Sequence, residues 1–445
     1  MLAAFCDQKT RLGSDDERRR WWVRIFAILK CRMLNRFLQL ACFYLGLIPA
    51  VSGYSVLTHE AVIDAVWMDH IQPLIKRRFP DAKEEELRRA HAFAYGGAII
   101  QDMGYYPLGS KMFSDLTHCV RSGDFILSLL KQAQDVNDYA FALGALAHYT
   151  SDNNGHSIAI NRVVPMMYPK LREKIGPVVT FSDAPAEHMK VEFSFDVGQV
   201  AQGSYAPEQY HDFIGFEVST SVMKRAFAEV YGIDMGELFL SIDVAVGTYR
   251  YMVSRVLPTM TKAAWDLKGD EIRAAKPTIT RKLFQYNLSR AAYHNEWGKT
   301  YRRPGICARM IAFFFRLVPK VGPFKPLAFH VAPPSAQTLF MKSFNATIDQ
   351  YRTLLAAHGR GTLRLANGNF DTGQPLKPGQ YRLADDAYAY LVKKLKGKSI
   401  PTELRANILQ YYSDLNGPYS SKRHPKKWRE VVTAVKAIKG AGDSQ

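Results

Sequence analysis

The sequence predicts an all-α protein, and three observations support this fold class. Apolar residues recur at steps of three and four over long stretches, which is the period of an amphipathic helix. Proline, glycine and asparagine separate these stretches. Hydrophobic residues make up 47% and charged residues 22% of the 445 positions, which is typical of a globular protein. This composition excludes global disorder and a protein with many membrane spans.

The periodic stretches and a change in composition divide the chain into three predicted regions. An N-terminal segment covers residues 1–53, a helical domain covers 54–270, and a basic, mainly helical region covers 271–445. Within the last region, Gly361–Arg382 is rich in glycine, proline and asparagine, which predicts a loop or short β-structure. The helices predicted for the central domain are His59–Phe79, Glu84–Ile100, Phe125–Lys131, Ala140–Ile160, Glu187–Val197, Ser219–Tyr231 and Met235–Leu257.

The N-terminal segment has the pattern of a secretory signal. Residues 37–58 contain no charged side chain, and Arg32 and Arg36 precede them. The residues Val51-Ser52-Gly53 offer a cleavage site before Tyr54. An uncleaved membrane helix is the alternative, since about 20 apolar residues span a bilayer. The pattern predicts a protein that is secreted or located in the periplasm or cell envelope, with membrane association left open.

Histidine and carboxylate residues at helical spacing indicate a metal site in the central domain. His148, Asp152 and His156 follow one another at four-residue steps, which places them on one face of a helix. His188 and Glu192 have the same spacing, and imidazole and carboxylate groups are ligands that zinc uses. A single pair of this kind is more often a surface or capping arrangement. The hypothesis of a metal site therefore depends on two features together, namely the stripe formed by His148, Asp152 and His156 and the second pair, His188 and Glu192.

The order of these residues along the chain adds a resemblance to a known family. The motifs that carry it are Tyr54-Ser55-Val56-Leu57-Thr58-His59, Gln101-Asp102-Met103, Thr117-His118, His148-x3-Asp152-x3-His156 and His188-x3-Glu192. Together they resemble the zinc-dependent phospholipase C family over residues 54–265. That family is similar to the N-terminal domain of glycosylphosphatidylinositol-specific phospholipase D and, more distantly, to secreted zinc-dependent nucleases. The resemblance implies a multi-helix, all-α domain with up to three zinc ions.

The resemblance also implies which side chains bind each zinc ion. Because an α-amine binds zinc only when it is free and deprotonated, Tyr54 is a ligand only if cleavage falls just before it. His156 follows Asp152 by four residues, as in the phospholipase D branch, whereas the secreted phospholipases and nucleases have six. This departure leaves the substrate class open. The first ion takes Asp102, His118, His148 and Asp152; the second takes Asp152, His59 and the amine and carbonyl of Tyr54; the third takes His156, His188 and Glu192.

The reaction that these ions favour is hydrolysis of a phosphodiester by a zinc-activated water. A phospholipid headgroup is the leading substrate. Asp102 is predicted either to bind metal or, as the family suggests, to help deprotonate the attacking water. Two alternatives remain, namely a zinc nuclease with the same active-site chemistry and a non-catalytic, membrane-associated helical protein.

The C-terminal region suggests a second kind of partner. The formal net charge of the chain is +18, and no acidic residue lies between Trp297 and Ile348. Phe313-Phe314-Phe315 lies within this stretch between basic residues, which is typical of binding to an anionic membrane surface. A buried helix whose cations reach solvent is the alternative. No nucleic-acid-binding module is recognised. The stretches Asn367–Asp371 and Asp385-Asp386 could bind a cation, but turn chemistry explains them more simply.

Overall fold

The structure is a computed structural model that describes residues 56–202, 216–253, 270 and 330–440. Its first part consists of α-helices and short helical turns, which confirms the all-α prediction. π-helical turns occur at Trp67–Ile71 and Gly155–Ile160, and 3₁₀ turns at Ile100–Tyr105 and Met235–Leu238. The α-helices are α1 (Val56–Val66), α2 (Gln72–Arg78), α3 (Glu84–Ile99), α4 (Lys111–Cys119), α5 (Ser122–Gln132), α6 (Val136–Asn154), α7 (Asn161–Met167), α8 (Pro169–Ile175), α9 (Pro185–Gln202), α10 (Thr220–Tyr231) and α11 (Ile242–Tyr251).

Most predicted helices are found, but residues without helical structure interrupt one of them. The stretch predicted as a single helix from Met235 begins with a 3₁₀ turn, and α11 begins only at Ile242. Ser241 has an extended backbone, and its hydroxyl accepts a hydrogen bond from the backbone N–H of Val244 at 3.4 Å. A serine N-cap starts a new helix at this point. The prediction of one continuous helix is therefore wrong here.

The C-terminal part is also mainly helical. A two-stranded antiparallel hairpin interrupts the helices, with Gly368 opposite Pro375 and Asn369 opposite Gln374. This hairpin confirms the loop or short β-structure predicted for that stretch. The elements are α12 (Pro334–Gly359), β1 (Gly368–Asn369), β2 (Gln374–Pro375), α13 (Arg382–Leu395), α14 (Thr402–Tyr411) and α15 (Pro425–Gly440), with a 3₁₀ turn at Ser420–Arg423.

The helix α12 packs along α6. The hydroxyl of Tyr351 donates to the backbone carbonyl of Leu143 at 2.7 Å, and the amide of Asn154 donates to Gln350 at 2.6 Å. Tyr351 is fully buried in this contact. Elements from both sides of residue 270 therefore meet directly, while the predicted boundary at 270–271 lies beside residues that are not described and stays a prediction.

Two glycines let α3 and α6 approach closely. A Cβ added to Gly97 would lie 1.9 Å from the carbonyl oxygen of Phe141, and one added to Gly144 would lie 2.0 Å from the carbonyl oxygen of Ala94. Real Cβ atoms do not come this close to a backbone oxygen. Only glycine is compatible with this contact, which sets the distance between the helices that carry part of the site described below.

We expect Gly144→Ala to destabilise the protein strongly. The added methyl group would have to push two helix backbones apart, so the free energy of unfolding should fall by about 3 kcal/mol or more. Chemical denaturation of the purified chain measures this change. Gly247→Ala in α11 is the matched control, because no atom would lie within 4 Å of the added Cβ and alanine favours a helix by about 1 kcal/mol relative to glycine. Equal stabilities of the two variants would contradict the close contact.

Several predictions concern residues that the structure does not describe. The N-terminal segment 1–53, Tyr54 and the Phe313–Phe315 stretch all lie outside the described ranges. Among the helices of the described part, none combines the length and apolar character needed to cross a bilayer. The signal, its cleavage and the membrane surface remain predictions.

Candidate metal centre

Four donor side chains from three helical segments meet inside the central domain. Asp102 lies in the 3₁₀ turn after α3, His118 lies near the end of α4, and α6 carries both His148 and Asp152. All four are buried, and their donor atoms lie within 4.8 Å of one another. We call these four residues the first group. They are the residues that the resemblance assigns to the first zinc ion.

The spacing of the donor atoms in the first group fits one zinc ion. His118 Nε2 lies 3.3 Å from Asp102 Oδ1 and 3.3 Å from Asp152 Oδ2. His148 Nε2 lies 3.3 Å from Asp152 Oδ2 and 3.1 Å from His118 Nε2. Ligands bound tetrahedrally to zinc at about 2.0–2.2 Å are about 3.3–3.6 Å apart. The first group is therefore already close to the geometry that zinc requires.

Backbone carbonyl groups hold both imidazole rings of the first group in one orientation. His118 Nδ1 lies 2.8 Å from Ser114 O, and His148 Nδ1 lies 2.9 Å from Ala98 O. A carbonyl accepts only, so each Nδ1 carries a proton and Nε2 is the nitrogen left to bind a metal ion. Both Nε2 atoms face carboxylate oxygens, so a proton or a metal ion must lie among them. Hydrogen bonds of this kind orient histidine ligands in metal sites.

His59 contributes a further donor beside Asp152. Its Nε2 lies 3.5 Å from Asp152 Oδ1, and its ring stacks on His148 with centroids 4.7 Å apart. Asp152 thus presents Oδ2 to the first group and Oδ1 to His59, which is the arrangement that a carboxylate bridging two ions needs. Tyr54, predicted to complete the second ion, lies outside the described residues. Its role as a ligand stays a prediction.

A second buried group lies near the first and contains a residue that the sequence did not predict. His156, His188 and Asp371 offer donor atoms within 4.8 Å of one another, and we call these three residues the second group. His156 Nδ1 lies 3.2 Å from Asp371 Oδ1. His188 Nε2 donates to Val179 O at 2.7 Å, which leaves Nδ1 as an acceptor. Two predicted ligands therefore meet a carboxylate from the hairpin loop.

Glu192, predicted as a ligand of the third ion, lies next to the second group. It follows His188 by one turn of α9, and its Oε1 lies 3.8 Å from His188 Nδ1. The carboxylate is buried. The distance is longer than the 3.2 Å between His156 and Asp371. Metal binding by Glu192 stays a prediction.

A π-helical turn divides the stripe predicted from four-residue spacing. His148 and Asp152 lie within α6, but this helix ends at Asn154 and His156 lies in the π-helical turn Gly155–Ile160. A π-helix has more residues per turn than an α-helix, so it changes the direction in which the next side chain points. The three side chains consequently serve two groups rather than one.

Burial and charge shift the pKa values of the two groups in different directions. Burial alone would lower the pKa of His118, but its contacts with Asp102 and Asp152 outweigh this effect and raise the pKa to about 10. Burial lowers the pKa of His188 to about 4. Burial also lowers the pKa of His156, which nearby carboxylates only partly offset. In the metal-free protein, the first group therefore keeps a proton at neutral pH, whereas the histidines of the second group are neutral.

The loop between β1 and β2 covers the first group. The backbone N–H of Phe370 donates to His118 O at 3.2 Å, and its buried ring lies 5.3 Å from the His118 ring and 6.0 Å from the His148 ring. The adjacent residue is Asp371, which the sequence analysis assigned to turn chemistry. The sequence indicated cation binding there only as the weaker alternative, and it could not join Asp371 to His156 and His188, because these residues lie far apart in the chain.

Comparison with known families identifies the segment that carries most of these residues. The family model of zinc dependent phospholipase C matches residues 58–240. The matched segment contains the predicted ligands from His59 to Glu192, while Asp371 lies outside it. Searches of curated proteins and of solved structures found no match. Residues 58–240 are therefore similar to the zinc-dependent phospholipase C family, which confirms the resemblance seen in the sequence.

Proposed function

We propose that the chain is a zinc-dependent phosphodiester hydrolase that cleaves phospholipids as a phospholipase C. The observation that carries this proposal is the first group, where four buried donors lie at the spacing of tetrahedral zinc ligands. The second group and His59 supply the donors for further ions. Up to three zinc ions are proposed, with Tyr54 as a ligand at a mature N-terminus.

When bound, zinc supplies a Lewis acid that polarises the phosphoryl group and lowers the pKa of water to about 7. The chain's own residues prepare the site for this chemistry. Ser114 and Ala98 fix the two rings of the first group, so no reorientation is needed. Burial raises the pKa of Asp102, which brings it closer to the value of a general base. Asp102 is accordingly proposed as a ligand and as the acceptor of a proton from the attacking water.

The proposed substrate is a phospholipid. Water adds its oxygen to phosphorus, the bond between phosphorus and the glycerol oxygen breaks, and this oxygen leaves with a proton. The products are diacylglycerol and a phosphorylated headgroup. The net charge of +18 supports attraction to an anionic membrane surface, and the uncharged stretch at 37–58 supports secretion or an envelope location.

Lipid hydrolysis by the zinc-loaded chain tests the proposal. Vesicles of phosphatidylcholine and of phosphatidylinositol are incubated with the purified protein, and diacylglycerol is measured with and without a chelator. We expect release that stops with the chelator and returns with zinc. His148→Gln should lower the rate at least about 100-fold, because even partners of metal ligands are worth 10- to 100-fold.

The matched control is His358→Gln. His358 is a partly buried histidine on α12 that contacts the Tyr139 hydroxyl at 2.8 Å and belongs to neither group. Its variant should keep both zinc and activity. Release of nucleotides from single-stranded DNA without lipid turnover would favour the nuclease alternative. A wild-type chain that binds no zinc and hydrolyses neither substrate would contradict the proposal.

A further inference from the structure

We propose that Asp371 binds the metal ion of the second group, so that the C-terminal region completes a metal site begun by the family segment. This inference rests on the proposed function in one respect, namely that the chain binds zinc. Asp371 lies in the hairpin loop, beyond the matched residues 58–240. The proposal therefore adds a ligand that the family segment itself does not contain.

The carboxylate of Asp371 is not needed for the turn in which it lies. The turn is closed by Asn369, whose side-chain oxygen accepts from the Asp371 backbone N–H at 3.0 Å. The backbone carbonyl of Asn369 accepts from Gly373 N at 2.8 Å, and Gly373 has the positive φ of 66° that such a turn requires. The side chain of Asp371 is thus left for another role.

The surroundings of Asp371 hold one carboxylate oxygen in place and direct the other to the second group. Oδ2 accepts a hydrogen bond from the backbone N–H of Phe181 at 3.0 Å. Oδ1 lies 3.2 Å from His156 Nδ1. Tyr381 also forms a hydrogen bond with the carboxylate. The residue is only 7% exposed. A buried carboxylate oxygen this close to an imidazole nitrogen is placed to share a metal ion with it.

The chemistry of the second group also requires a carboxylate of this kind. Its two imidazole donors are uncharged when they bind a metal ion, because an imidazole nitrogen must be deprotonated to act as a ligand. Two neutral ligands alone leave the charge of a dication uncompensated inside the protein. Asp371 supplies negative charge at 3.2 Å from His156 Nδ1, which matches the ligand spacing of about 3.3–3.6 Å around zinc. With Asp371 as an anionic ligand, Glu192 would be a fourth ligand of this ion and not its single anionic ligand.

Metal analysis of Asp371→Asn tests the proposal on the full chain. Asparagine keeps an oxygen for the Phe181 N–H but loses the charge, so we expect the zinc content to fall by roughly one ion per chain. The affinity of that site should weaken at least about 100-fold. Asp385→Asn is the matched control. Asp385 is equally buried in the C-terminal region, but its carboxylate is used by Gly379, Tyr411 and Ser420.

A second variant reports ligation directly. In the cobalt-loaded chain, Asp371→Cys should produce a thiolate-to-cobalt charge-transfer band, whereas Asp385→Cys should not. This measurement remains informative if Asp371→Asn folds poorly. Full zinc content in Asp371→Asn, or cobalt binding by Asp371→Cys without the band, overturns the proposal while leaving the hydrolase untouched. A wild-type chain without zinc would instead contradict the proposed function.

Discussion

Asp152→Asn is expected to abolish hydrolysis and to remove more than one zinc ion per chain. Asp152 Oδ2 contacts both histidines of the first group at 3.3 Å, and Oδ1 faces His59 at 3.5 Å. An amide has nearly the same shape, but it cannot supply the negative charge that two cations share. We expect activity to fall by at least about three orders of magnitude. Metal analysis and diacylglycerol release from the same preparation measure both effects.

Asp138→Asn provides the matched control for this variant. Asp138 is a buried aspartate on the same helix, and it contacts Ser219 and Arg225 instead of a metal group. Its variant should lose some stability yet keep its zinc and its activity. If Asp152→Asn retains full zinc and wild-type turnover, Asp152 is only a polar residue of α6 and the proposed centre is wrong.

Zinc binding to the first group is expected to release at least one proton at pH 8, whereas binding to the second group should release almost none. The pKa of about 10 means that His118 is protonated at pH 8 in the metal-free protein, and zinc must displace this proton. The pKa of about 4 means that His188 has already lost its proton. The apparent affinity of the first group should therefore rise about tenfold per pH unit up to pH 10.

Calorimetric titration of the metal-free chain in buffers with different ionisation enthalpies counts these protons. His118→Gln should eliminate the proton release together with binding at the first group. His358→Gln, which belongs to neither group, should leave the number of protons unchanged. Proton release that is equal at both groups, or affinity at the first group that does not vary with pH, would contradict the assigned protonation states.

The sequence predicted the longer helices of the central domain well because each one carries its own signal. In α3, three glutamates start a helix whose apolar residues recur at helical spacing, and Glu86 accepts from the Lys83 backbone N–H at 2.9 Å. The helix α4 was not predicted. Its nine residues, Lys111–Cys119, are too few to establish a period, and its start depends on a cap by Ser110 that reads equally well as a loop.

In the candidate site, the sequence likewise predicted the contacts within one helix but not the contacts between distant segments. His148 and Asp152 lie on one helix, so their spacing indicated a shared site. The π-helical turn after Asn154 has no comparable signal, and it directs His156 to the other group. Asp371 joins that group only because the hairpin packs on His118 and Phe181. Contacts between distant segments depend on tertiary packing, which periodicity does not report.

The metal-binding side chains lie far apart in the sequence, and this separation has a consequence for folding. His59 and Asp371 lie roughly 300 residues apart, and the loop between Glu192 and Asp371 alone costs on the order of 5 kcal/mol to close in an unfolded chain. The second group therefore cannot assemble until residue 371 has been synthesised and the hairpin has docked. A metal ion bound with Asp371 as a ligand would bind late and only to molecules whose hairpin is in place. Occupancy of the second group would thereby report the fraction of molecules in which the hairpin has docked.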